Sequence, residues 1–179
     1  MNTPQQYQQL WDTMEVKSSV LPRLNKIIAK IKSNKAIYEN VVEDWKMPWY
    51  VVAAIHNMES DMDFTKHLHN GDPLTARTVH VPAGRPLAGN PPFTWEESAE
   101  DALKLRGMDH ITDWSVPHML LVVEGYNGYG YSRRNLPSPY LWSGSQIYTK
   151  GKYVADGKFD PNAVSSQIGA ALIIKQLFS

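Results

Sequence analysis

The sequence predicts a mainly α (α+β) fold with a small β-hairpin, and three observations carry that prediction. Apolar residues recur at helical spacing near both ends. A nearly all-apolar segment runs over Pro48–Glu59, and between Asp61 and Phe93 the helical period gives way to a turn and a short alternating run. A chain of 179 residues is expected to form one domain, residues 1–179. That length suffices to bury roughly 70% of the surface its unfolded form exposes.

Over residues 5–34, Leu10, Met14, Leu21, Leu24, Ile27, Ile28 and Ile31 are spaced by three, four and seven, which predicts one or two helices. Pro22 suits the first turn of the second, and Lys26, Lys30, Lys32 and Lys35 form its solvated face. Pro48 opens the next helix, which is apolar nearly all round to Ile55 and is expected at the centre of the fold. Asn70-Gly71-Asp72-Pro73 is a dense turn signal, and the alternation in TARTVHVPAG predicts the hairpin there. Six prolines and glycines between Pro82 and Pro92 then mark a rigid, irregular loop. Thr94 caps a helix with Glu96 and Glu97 in its first turn, ending near Arg106 before Gly107. Ser115 and Pro117 start another, VPHMLLVVEGYN. The stretch from Asn127 to Pro161 reads as aromatic and glycine-rich loop, and NAVSSQIGAALIIKQLF returns to the helical period.

Eighteen basic and eighteen acidic residues cancel, so no broad electrostatic footprint for nucleic acid or an anionic membrane exists. The absence of cysteine removes disulfides, thiolate ligands and a cysteine nucleophile. No segment approaches the roughly 20 apolar residues of a membrane span. The start, MNTPQQYQQLWDTMEVK, lacks the basic and apolar regions of a secretory signal. The expectation is a soluble chain made in the cytoplasm. Six Trp, nine Tyr and four Phe supply many flat rings, suited to a core and also to sugar clefts.

Glu59 is the unusual residue, a carboxylate in the last turn of the most apolar helix. Burying a carboxylate costs several kcal/mol unless it is paired or protonated, and the helix macrodipole at that end disfavours an anion. Both effects suit a proton donor. The competing reading is a structural ion pair with Arg77 or Arg85.

Ala54-Ile55-His56-Asn57-Met58-Glu59-Ser60 and the later Gly125-Tyr126-Asn127-Gly128 resemble, in order and separation, two motifs of the lysozyme-like superfamily, which includes phage endolysins and lytic transglycosylases. There the motifs read Ala-x-x-x-x-Glu-Ser and Ala-Tyr-Asn-Ala-Gly. The Gly-Leu-Met-Gln stretch of transglycosylases is replaced here by HLHNGDPLTARTVHVPAGRP. That replacement looks closer to phage muramidases, in which an aspartate and, six residues on, a threonine follow the glutamate. Asp72 and Thr78 have this spacing, although the gap from Glu59 to Asp72 is longer than in that group.

The resemblance implies a lysozyme-like helical domain that cleaves the β-1,4 bond between N-acetylmuramic acid and N-acetylglucosamine. Glu59 would be the general acid, Asp72 the second carboxylate and Thr78 the holder of the attacking water. Such a pair suits inversion, with carboxyls about 6.5–9.5 Å apart. Without them the substrate's own 6-hydroxyl attacks and leaves an anhydro-muramyl end. His69, Tyr126, Asn127 and Tyr131 are the substrate-binding candidates, with Tyr129 and Arg133 as further cleft residues. The implied partner is the peptidoglycan glycan strand, met by a monomer with no cofactor, nucleic acid or membrane insertion. Access to the wall would need a holin or specialised export. Three rival readings stand beside this one: a metal site on His67, His69 and Asp72; a zinc amidase or peptidase acting on the stem peptide; and a catalytically silent peptidoglycan-binding module.

Overall fold

Pro4 at the first position of a helix and Thr3 before it set where the chain becomes regular. Thr3 accepts from the Gln6 N–H while the Gln6 side chain accepts from the Thr3 N–H, a reciprocal cap. The computed structural model describes residues 2–155 and 157–178. Its helices are α1 (Pro4–Thr13), α2 (Leu21–Ser33), α3 (Lys35–Val41), α4 (Trp49–Ser60), α5 (Trp95–Leu105), α6 (Val116–Tyr126), α7 (Pro139–Trp142) and α8 (Ala170–Phe178). Its strands are β1 (Lys152–Ala155) and β2 (Lys158–Asp160). The fold is therefore mainly helical with one small antiparallel hairpin.

The chain divides into two compact units, Met1–Ala29 with Ser115–Ser179, and Lys30–Trp114. In the first, α1 packs on α6 and α7 on α8. Tyr7 and Trp11 form the buried face of α1, and Met119, Leu120 and Val123 that of α6. Ala170 to Ile174 are buried on every side, so α8 lies within the core of this unit. The hairpin pairs Lys152 with Asp160 and Tyr153 with Phe159, with a bulge before Ala155. Tyr131 packs against both rings, 5.2 Å from Tyr153 and 6.3 Å from Phe159, and its hydroxyl accepts from the Tyr153 N–H.

In the second unit α4 is central, with Val51 to Met58 buried and α3 alongside. α3 also packs on α5, whose Thr94–Glu97 capping box fixes its start. As expected for Pro22, the ring sits in the first turn of α2. Pro48 instead caps α4 from outside.

Two expectations are corrected. The hairpin is not at TARTVHVPAG, where the segment 61–93 holds only an isolated bridge between Lys66 and Pro73; it is at 152–160, in the stretch read as loop. The last helix does not begin near Asn162 but at Ala170, because Gly169 approaches the backbone of α7 too closely for a helix to run through it.

Candidate functional site

Glu59 lies half-buried in the last turn of α4, after the buried Met58. The helix ends abruptly: Asp61 and Met62 both take left-handed φ, 54° and 57°. Two consecutive non-glycine residues in that region store strain of about 1–2 kcal/mol each. The turn is held by Asp61 N–H donating to Asn57 O at 3.1 Å and by Lys30 Nζ donating to Asp61 O at 3.2 Å. Strained backbone of this kind is concentrated at functional sites.

Under this helix end is an aromatic cluster. The His56 ring lies 4.3 Å from Trp95 and 4.7 Å from Phe64, and Trp95 and Phe64 are 5.0 Å apart. Tyr38 joins them, its hydroxyl hydrogen-bonded to His56 Nδ1 at 3.1 Å. Burial pushes the His56 imidazole down to about 4, so it is neutral near pH 7. An unfolded histidine titrates near 6.5. Below that value the unfolded chain binds a proton that the folded chain does not. Stability is therefore full above pH 6.5 and falls by about 3 kcal/mol as pH drops toward 4. Urea midpoints at pH 7.5 and 4.5 should show this fall in the wild type and a flatter response in His56→Gln. Equal slopes in the two would remove His56 as the cause.

The loop after α4 commits the other sequence candidates to its own architecture. Asp72 Oδ2 accepts from the Val79 and His80 N–H groups at 2.8 and 3.0 Å, and Oδ1 accepts from His80 Nδ1 at 2.5 Å. The His80 backbone and ring bonds hold the Asp72 carboxyl well below the usual range, as an ionised brace. Thr78 Oγ1 donates to Pro82 O and accepts from Arg85 N–H at 2.9 Å. Both residues thus shape the same loop.

His69 is fully buried at the side chain, where Nε2 donates to Asp101 Oδ2 at 2.7 Å. Burial lowers its affinity for a proton despite the opposing pull of Asp101. Arg85, one of the two partners considered for Glu59, donates from Nε and Nη2 to Asp101. Arg77 Nη2 donates to Gly89 O. His67 donates from Nε2 to Ala76 O, and Nδ1 faces the Ser98 hydroxyl at 2.8 Å, so neither nitrogen is open to a cation. Among the described residues no group of three or more acidic or histidine side chains is arranged to hold a metal ion.

In the first unit Tyr126 is buried in the last turn of α6, and Asn127 follows it as the exposed C-cap. Asn127 and Tyr131 line a cavity of about 500 Å³, together with Tyr140, Lys152, Tyr153 and Ser165. Tyr126 does not line it.

The residue that sequence reasoning missed is Glu124. It is 1% exposed, and Oε2 accepts from the Tyr7 hydroxyl at 2.6 Å. Burial holds its carboxyl above the ordinary range, and burial with the Glu124 charge raises Tyr129 as well. Glu124 thus ties α1 to the end of α6. Its signal was available: like Glu59, it is a lone carboxylate in a helix that is otherwise apolar.

No family model, curated protein or solved structure matches the chain.

Proposed function

We propose that the protein cleaves the β-1,4 bond between N-acetylmuramic acid and N-acetylglucosamine in peptidoglycan, with Glu59 as the proton donor. The observation that carries this reading is the half-buried carboxylate in the last turn of a buried helix, one residue ahead of two consecutive left-handed residues. A glycosidic oxygen leaves only when protonated, and a positioned acid supplies that proton.

The bonding of Asp72 and Thr78 favours one version of the chemistry. Each oxygen of Asp72, and the hydroxyl of Thr78, already has a partner within the loop. Asp72 is then committed to the loop and not free to act as the second carboxylate that activates water. Attack by the substrate's own 6-hydroxyl needs no such group and gives an anhydro-muramyl end.

Mass spectrometry of purified peptidoglycan digested with the wild type separates the outcomes. Anhydro-muramyl ends are expected. Reducing muramyl ends would instead assign hydrolysis and require a water-activating group other than Asp72 and Thr78. Release of no product would remove the enzymatic reading and leave a peptidoglycan-binding module.

A further inference from the structure

The cavity of the first unit has a chemical character of its own. Tyr131, Tyr140 and Tyr153 supply aromatic surface, and Asn127, Ser165 and Gln167 supply uncharged polar groups. No described lining residue carries a carboxylate, and Lys152 is the sole cation among them. Lys152 makes no ion pair with a described residue. Its cross-strand neighbour Asp160 turns Oδ1 to the Asn162 and Ala163 N–H groups. A lysine that lines an aromatic cavity and has no counter-ion among the described residues favours an anionic ligand group.

The walls are built to hold their shape. Tyr153 and Phe159 pack edge to face at 5.4 Å, and Tyr131 contacts both rings while its hydroxyl accepts from the Tyr153 N–H. Gly130 lies where a Cβ would be 3.3 Å from the Tyr153 ring, so the loop and the hairpin are in close contact there. A volume of about 500 Å³ lies in the range that accepts a sugar with a short substituent.

We infer that this cavity binds an N-acetylated sugar carrying a carboxylate-bearing peptide, with the sugar against the tyrosines and the carboxylate on Lys152. The choice of a muramyl peptide as that ligand rests on the function proposed above. The cavity would then recognise a carboxylate of the wall polymer's peptide stem, and a neutral oligomer of N-acetylglucosamine would lack the group that Lys152 selects.

The test is titration of the full-length wild type and of Lys152→Met with N-acetylmuramyl-L-alanyl-D-isoglutamine, read by calorimetry and by amide shifts. The same compound with its carboxyl amidated and the neutral trimer of N-acetylglucosamine serve as comparisons. None of the muramyl probes contains the bond to be cleaved, so binding is read apart from turnover. The acidic probe is expected to bind about tenfold or more tightly than its amidated form, with shifts at Asn127 and Tyr153. Lys152→Met should abolish that difference and Lys152→Arg should keep it. Equal affinity for both forms, a difference that survives Lys152→Met, or no binding would overturn the inference. Digestion of peptidoglycan with no Lys152-dependent binding would sink this site alone. Lys152-dependent binding without digestion would sink the enzymatic reading alone.

Discussion

Glu59→Gln is expected to lower the release of glycan fragments from peptidoglycan by about 10²–10⁴-fold while changing stability by no more than about 0.5 kcal/mol. The amide keeps the shape of the carboxyl group and removes its acid proton. Glu59 is only half-buried, and the packing of α4 comes from the wholly buried run Val51 to Met58. Glu59→Asp sharpens the test. It retains an acid but withdraws it by about one methylene, and a displacement of about 1 Å costs on the order of 10²-fold when geometry limits the reaction. Loss in both variants at unchanged urea midpoint is the signature of a positioned acid. If Glu59 were a structural pairing group, Glu59→Gln would lower stability and Glu59→Asp would restore part of it, with activity following the folded fraction. Full activity in Glu59→Gln would place the proton donor elsewhere.

The helix that presents Glu59 was legible because its apolar run is unbroken and because proline marks its start. Pro48 and Glu59 lie within one residue of the observed ends of α4. The hairpin was not legible in the same way. TARTVHV alternates like a strand, but the Asp72 side chain claims the backbone N–H groups of Val79 and His80 within it, and Thr78 Oγ1 is itself bonded to Pro82 O and the Arg85 N–H. Local side-chain bonds of this kind compete with strand pairing and won here. The true hairpin has the Asp-Gly step at 156–157 that favours a tight turn. Its signal is short, and it stands among glycines and aromatics that read as loop. What secures it is contact distant in sequence, Tyr131 against Tyr153 and Phe159.

The candidate site was legible by residue type and less so by role. Asp72 and Thr78 have the spacing of a catalytic pair, and spacing cannot reveal that both are saturated by their own loop. His69 reads as a surface residue of a turn, yet its ring is buried against Asp101, a carboxylate that Arg85 also holds. Glu124 passed as an ordinary helical glutamate because its partner, Tyr7, lies 117 positions away. Burial of one charged side chain in an apolar helix is visible in sequence; the group that satisfies it is not.

Gly169→Ala is expected to destabilise the first unit by more than about 3 kcal/mol, the upper range of overpacking in a core. Helix propensity alone predicts the opposite sign, a gain of about 1 kcal/mol on replacing glycine with alanine next to α8. Contact geometry decides between them. A Cβ on residue 169 would lie 2.2 Å from Leu141 O, 2.5 Å from its carbonyl carbon and 2.8 Å from Ser143 N. These are backbone atoms, so no rotamer change relieves the clash. Nor can α7 retreat, since Leu141 and Trp142 are fully buried and the Gly169 N–H donates to Ser143 O at 2.8 Å. Gly128→Ala is the control. Gly128 has φ +85° and open space around it, so alanine there meets only the left-handed strain of about 1–2 kcal/mol. Urea unfolding of the two variants should therefore rank Gly169→Ala well below Gly128→Ala. A stabilised Gly169→Ala would mean that the helix runs through residue 169 and that the approach of α7 to α8 is wider than described.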